Sequence, residues 1–217
     1  MLPYQYIAFI LVLKYLNTPN YFEYQKLFNV DSILNNIETI LQEVLSIKDE
    51  WTPWPEKNLY QIDKEWTVFP LLHTFPGNDP SKSAWLEGYT KSVPKTTKLL
   101  KEVKGIRTAL FSKMGPKTQL KSHRGWAELS NHVLRLHLPL IVPQKKSCGL
   151  CVRGEIKYNE KGQIICFDDS KDHLAFNFSK KDRVVLIFDI ERPAYLPKGT
   201  AIAGKTKDLE KMIEIFK

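Results

Sequence analysis

The 217-residue chain is 43% hydrophobic and 26% charged, a balance that excludes an intrinsically disordered segment and a bundle of membrane helices. A net charge of +8 and a pI of about 9.2 favour acidic ligands and anionic surfaces. Three cysteines are too few for a disulfide framework and point to a reducing, cytoplasmic setting.

In chain order, residues 6–13 are apolar until Lys14 interrupts them. The stretch is shorter than the roughly 20 residues a membrane span needs. It also lacks the basic leader of a signal peptide, so it reads as a packed helix or strand. Residues 20–48 read as helical: Asp31 can cap a run in which Ile33, Ile37, Ile40, Leu41 and Val44 recur at helical spacing. Trp51-Thr-Pro-Trp-Pro breaks that run, and residues 52–94, rich in proline and aromatics, read as loops and short strands. Pro94 opens a helix through Val103, stopped by Gly105. Its lysines 95, 98, 101 and 104 form a basic face. No arginine-rich or RNA-binding motif accompanies them, so that face reads as solvated rather than as a nucleic-acid site.

From Ile106 the period changes to that of strands. Strands are predicted at 108–114, 132–142, 151–158, 163–167 and 183–190, with a turn at 159–162 and a stop at Pro193. A terminal helix carries Leu209, Met212, Ile213 and Phe216 on one face. The fold class is therefore mainly β, a sandwich or jelly roll with helices before and after it. Residues 1–60 form an N-terminal helical segment packed on a barrel of residues 61–217, as one structural unit.

The strand at 132–142 carries the first chemical signal. Leu134, Leu136, Leu138 and Leu140 share one face, and Arg135 and His137 share the other. A polar pair on a central strand makes either an anion-binding pocket inside a barrel or an exposed sheet face with incidental charges. His123 and His173 both fall near strand ends, and Arg183 follows the second by ten residues. Imidazole suits iron, zinc and copper, and an arginine opening a buried strand can hold a carboxylate through two hydrogen bonds.

Five motifs then stand in a recognisable order: Ser112-Lys-Met-Gly-Pro, His123-Arg-Gly, Leu134-Arg-Leu-His-Leu, Phe167-Asp-Asp-Ser-Lys-Asp-His173, and Arg183-Val-Val-Leu-Ile-Phe-Asp running on to Arg192-Pro193. From Ser112 to Pro193 the chain resembles the aspartyl/asparaginyl β-hydroxylase family. The resemblance implies a double-stranded β-helix of the cupin kind. It implies an iron(II)- and 2-oxoglutarate-dependent dioxygenase that uses O2, with ascorbate as a supporting reductant, to hydroxylate an unactivated carbon. The expected carbon is the β-carbon of an aspartyl/asparaginyl-type or other amino-acid substrate, with a lipid as the alternative. By residue, it implies His123 and His173 as metal ligands, Ser112 and Arg183 on the distal carboxylate of 2-oxoglutarate, and Arg135 and His137 on the cosubstrate near the metal. The position that usually supplies a third, carboxylate ligand is Gly125, so water is expected there, and Gly125→Asp is expected to restore the ligand. The segment 126–134 is about three residues longer than in the hydroxylases of epidermal-growth-factor domains, which makes Trp126, Asn131 and His132 candidates for substrate contact.

Cys148-Gly-Leu-Cys151 lacks the four ligands of a structural zinc site and reads as a turn with reduced thiols. Asp168 and Asp169 are expected to position His173 through loop hydrogen bonds. The expected partners are a peptide, amino-acid or small-molecule substrate, without nucleic acid and without a membrane span. The rival reading is a non-catalytic anion-binding module on the same barrel. Nothing in the sequence fixes the oligomeric state.

Overall fold

The computed structural model describes residues 18–47, 50–61 and 64–215; the apolar stretch at 6–13 and Phe216 lie outside them. The described strands are β1 (Tyr21–Phe22), β2 (Thr52–Pro53), β3 (Trp66–Thr74), β4 (Ser83–Trp85), β5 (Ile106–Met114), β6 (Thr118–Gln119), β7 (Val133–Ile141), β8 (Cys148–Val152), β9 (Glu155–Tyr158), β10 (Ile165–Phe167), β11 (His173–Asn177) and β12 (Arg183–Glu191). The helices are α1 (Asp31–Leu34), α2 (Ile37–Ser46), α3 (Glu87–Thr90), α4 (Pro94–Lys101), α5 (Ala127–Ser130) and α6 (Lys207–Ile215).

A major sheet runs β1-β10-β7-β12-β5-β3-β2, with β4 beside β3, and a minor sheet runs β6-β11-β8-β9. Every pairing is antiparallel. The period-two pattern explains the layering. On β7, Leu134, Leu136, Leu138 and Leu140 turn outward and join Phe69, Phe111, Leu186 and Phe188 in a core with Ile33, Ile40, Val44, Val93 and Leu100 of the helical layer. The opposite face of the same sheet packs Trp66, Met114, Ile165 and Phe167 against Leu150, Val152 and Ala175 of the minor sheet. The molecule is thus a jelly roll with one face of the major sheet covered by helices and the other facing the minor sheet.

Several sequence expectations change here. The helix expected over 20–48 is interrupted: β1 pairs with β10 at its start, and α1 and α2 are separated at Asn35 and Asn36. The Asn36 amide instead donates to the Ser32 carbonyl. The strand expected at 151–158 is a hairpin, β8 to β9, turned at Arg153 and Gly154, which both take positive φ. Within 52–94 lies β3, nine residues long and almost wholly buried. Pro70 hid it from view, because a proline argues against a central strand; here it sits at a register shift against β5, where a missing N–H is tolerated.

Candidate active site

The space between the sheets encloses a cavity of about 130 Å³. Alternation sends Ser112 (β5), Arg135 and His137 (β7) and Arg183 and Ile187 (β12) into it, on the face opposite the leucines. Of the two readings of Arg135 and His137, the structure shows the pocket. Leu59, Trp54, Arg124 and Trp126 are half-buried around its rim, and Leu120, Leu129 and Leu150 add apolar wall.

His123 and His173 are brought together by an isolated β-bridge in which each backbone N–H donates to the other's carbonyl, at 2.9 and 2.8 Å. Their rings lie 4.4 Å apart. Each Nδ1 sits 2.8 Å from the carbonyl two residues earlier, Lys121 and Lys171 respectively. A carbonyl can only accept, so both Nδ1 atoms carry the proton and both Nε2 atoms keep a lone pair. Burial holds both imidazoles down at about 4, and for His123 the neighbouring His173 adds to the effect. Neutral rings with free Nε2 atoms are what a divalent metal needs. Among the described residues, no group of three or more His, Cys, Asp or Glu side chains is placed to hold a metal.

The other end of the cavity is built for an anion. Arg183 is 1% exposed, its Nε donates to Asn159 Oδ1 at 3.0 Å, and its Nη2 has no partner. Among the described residues no acidic side chain pairs with it, and burial pulls it down to about 10. Ser112 accepts from the Trp66 indole at 3.1 Å, which leaves its hydroxyl proton free to donate. His137 Nδ1 is buried without a partner, and burial, with Arg183 and Arg135 nearby, keeps this ring neutral. A buried cation lacking a counter-ion, beside a free hydroxyl and an unpaired ring nitrogen, calls for a carboxylate ligand.

Arg135 is held differently from Arg183. Its Nε and Nη2 donate to both oxygens of Asp189, at 2.8 and 2.9 Å, and its Nη1 donates to Asp169 at 2.6 Å. Asp169 Oδ1 in turn lies 3.4 Å from His173 Nε2, so this carboxylate faces the unprotonated nitrogen of the ring and does not make the loop hydrogen bond expected of it; the bond that orients His173 runs from its Nδ1 to the Lys171 carbonyl. Asp168 acts on the loop itself: it accepts from the Ser170 N–H and hydroxyl and pairs with Arg192.

Gly125 corrects an expectation. A Cβ at this position would lie 1.8 Å from Asp169 Oδ2 and 2.8 Å from Ser130 Cβ. The glycine is what lets the Asp169 carboxylate lie against the backbone, so Gly125→Asp cannot add a ligand without expelling Asp169. Asn131 and His132 are also not brought to the cavity. The Asn131 amide bonds both to the Ala201 carbonyl and from the Ala201 N–H, and His132 lies by Arg107 and Lys198 in a separate depression. Trp126 does line the cavity.

Sequence reading missed Asp189, Trp66, Trp54 and Glu56. Asp189 was findable, since it shares strand parity with Arg183 and so faces inward. The other three lie in the proline-rich region that shows no period.

Residues 34–193 match the family described as aspartyl/asparaginyl beta-hydroxylase. The ornithine lipid ester-linked acyl 2-hydroxylase of Rhizobium tropici is 37% identical over 108 residues, which are 49% of this chain and 37% of that protein. The human aspartyl/asparaginyl beta-hydroxylase is 30% identical over 176 residues, 78% of this chain and 22% of that protein. The chain therefore spans well under half the length of either relative. A 2OG-Fe(II) oxygenase-family oxidoreductase of Burkholderia pseudomallei shares the fold, with a TM-score of 0.51 at 11% identity over 76% of this chain and 81% of that one. On the match over 34–193, the chain belongs to the aspartyl/asparaginyl β-hydroxylase family.

Proposed function

We propose that the chain is an iron(II)- and 2-oxoglutarate-dependent dioxygenase that hydroxylates an unactivated carbon. The observation that carries this is Arg183, buried with no counter-ion among the described residues, in a cavity also lined by two neutral histidines whose Nε2 atoms are unprotonated. His123 and His173 would hold the metal. Arg183 and Ser112 would take the distal carboxylate of 2-oxoglutarate, and His137 would lie beside the cosubstrate. When bound, iron(II) with O2 and 2-oxoglutarate supplies the oxidising power, with succinate and carbon dioxide as the other products. Arg135 serves here as a positioning residue, because all three of its nitrogens already hold Asp169 and Asp189.

For the substrate, one relative's name specifies aspartyl and asparaginyl residues and another's an ornithine lipid. The apolar lining of Trp54, Leu59, Leu120, Trp126 and Leu129 favours a substrate with an apolar body, which supports the lipid alternative. Residues 18–60 contribute β1 and β2 to the major sheet, which supports treating 1–60 and 61–217 as one working unit. No described helix is long and apolar enough to cross a membrane. Free Cys148, Cys151 and Cys166 fit the reducing cytoplasm expected for it.

The test is to incubate the protein with iron(II), ascorbate and 2-oxoglutarate against peptide, amino-acid and lipid pools. Succinate should form together with a one-oxygen mass gain in one pool, and both should vanish with His123→Ala or His173→Ala. Succinate-free mixtures and no 2-oxoglutarate binding would remove the proposal.

A further inference from the structure

Every cation lining the cavity has a partner or an assigned ligand. Arg124 spends Nε and Nη2 on both oxygens of Asp172, at 2.9 and 2.7 Å. Arg135 is held by Asp189 and Asp169. Arg183 lies at the cosubstrate end. Among the described residues that line the cavity, no cation is left over for a substrate carboxylate.

The uncommitted charge is negative. Glu56 lines the same cavity and is 8% exposed. Its Oε2 accepts from the Trp54 indole at 3.1 Å and its Oε1 from the Thr206 hydroxyl at 2.9 Å. Both donors are neutral, and among the described residues no lysine, arginine or histidine pairs with this carboxylate. A carboxylate withdrawn from water and left without a cation is costly, and an incoming cation would recover that cost. Trp54 turns its indole N–H edge to this carboxylate and stacks on Trp66 at 4.6 Å, and Trp126 lines the same cavity. A carboxylate without a cation in an aromatic-lined cavity attracts an ammonium group by charge. The remaining wall, Leu59, Leu120 and Leu129, suits an alkyl chain.

We infer that Glu56 selects a substrate that carries an ammonium or similar cationic group on an apolar body, and that the cavity rejects a substrate whose recognised group is a carboxylate. The inference rests on the oxygenase reading, because it assigns Arg183 to the cosubstrate. It departs from the acidic residue that the family name suggests.

The experiment uses the whole chain loaded with manganese(II) and 2-oxoglutarate, whose uptake is measured first by calorimetry. Three probes of one chain length follow: octylamine, N-octylacetamide and octanoate. Octylamine should bind about 10-fold or more tightly than the other two, the range for a charge-assisted contact. In Glu56→Gln the ratio of octylamine to N-octylacetamide affinity should fall close to one. If 2-oxoglutarate binds and octanoate is the tightest probe, or octylamine does not bind, or Glu56→Gln keeps the preference, the inference is overturned and the oxygenase reading stands. If 2-oxoglutarate does not bind, the oxygenase reading falls and the inference falls with it. Should Glu56→Gln fail to fold, the wild-type ranking of the three probes decides alone.

Discussion

Gly125 and Arg183 show how single residues set this site. At Gly125 the backbone N–H donates to the Asp169 carbonyl at 2.8 Å while the Asp169 carboxylate fills the space of the absent Cβ. Gly125→Ala must displace that carboxylate, and with it a partner of Arg135. Such overpacking costs about 1–3 kcal/mol, so the unfolding midpoint in urea should drop; an unchanged midpoint would mean that Asp169 moves aside freely. At Arg183 the expectation splits in two. Arg183→Met should weaken 2-oxoglutarate binding roughly 10- to 100-fold, the worth of charge-assisted hydrogen bonds. Yet stability should hold or rise, because a buried cation without a counter-ion is removed. Loss of stability with unaltered cosubstrate binding would assign Arg183 to structure instead.

At the scale of elements, α5 matters because it carries Leu129 and follows directly on Trp126, both of which line the cavity. The segment at 199–205 clamps it. The Gly199 N–H donates to the Asn131 carbonyl, the Ala127 N–H donates to the Ala203 carbonyl, and the Asn131 amide makes two bonds to Ala201. Asn131→Ala should therefore cost about 1–3 kcal/mol of stability through unpaired buried backbone groups, read by thermal melting, while 2-oxoglutarate affinity stays as it was. A large loss of cosubstrate binding would instead return Asn131 to the site. The same elements show what a sequence can reveal. β7 was legible, and with it Arg135 and His137, because a strand buried on both faces still separates polar from apolar positions by parity; Arg183 stood out as an arginine opening a buried strand, and Ser112 on β5 came from the family motif. The pairing of His123 with His173 came from family motifs, since two loop histidines 50 residues apart have no local signature. β3 was lost to Pro70. Asn131 and His132 were misplaced because a longer loop reveals nothing about where its residues point.

For the whole molecule, the buried imidazoles couple fold to pH. His123 and His173 titrate at about 4 in the folded chain, against roughly 6.5 in an unfolded one. These two rings bind fewer protons in the folded state and cost stability as pH falls from about 6.5 towards 4, while Asp169, which burial raises to about 6, binds its proton more readily in the folded state and offsets part of that loss. The net loss should be on the order of a few kcal/mol. His137, lowered further by burial, adds to it. A melting temperature that stays flat from pH 7 to about 4 would contradict the burial of these rings.

The central claim is that two neutral histidines and one unpaired arginine build a single metal and 2-oxoglutarate site. It is tested most directly by adding iron(II) and then 2-oxoglutarate to the protein without oxygen, and recording the visible absorption. The account predicts a metal-to-ligand charge-transfer band that saturates at one equivalent of each, is absent in His123→Ala and His173→Ala, and needs far more 2-oxoglutarate in Arg183→Met. A protein that takes up iron and 2-oxoglutarate with no such band, or forms the band equally well without either histidine, would contradict it.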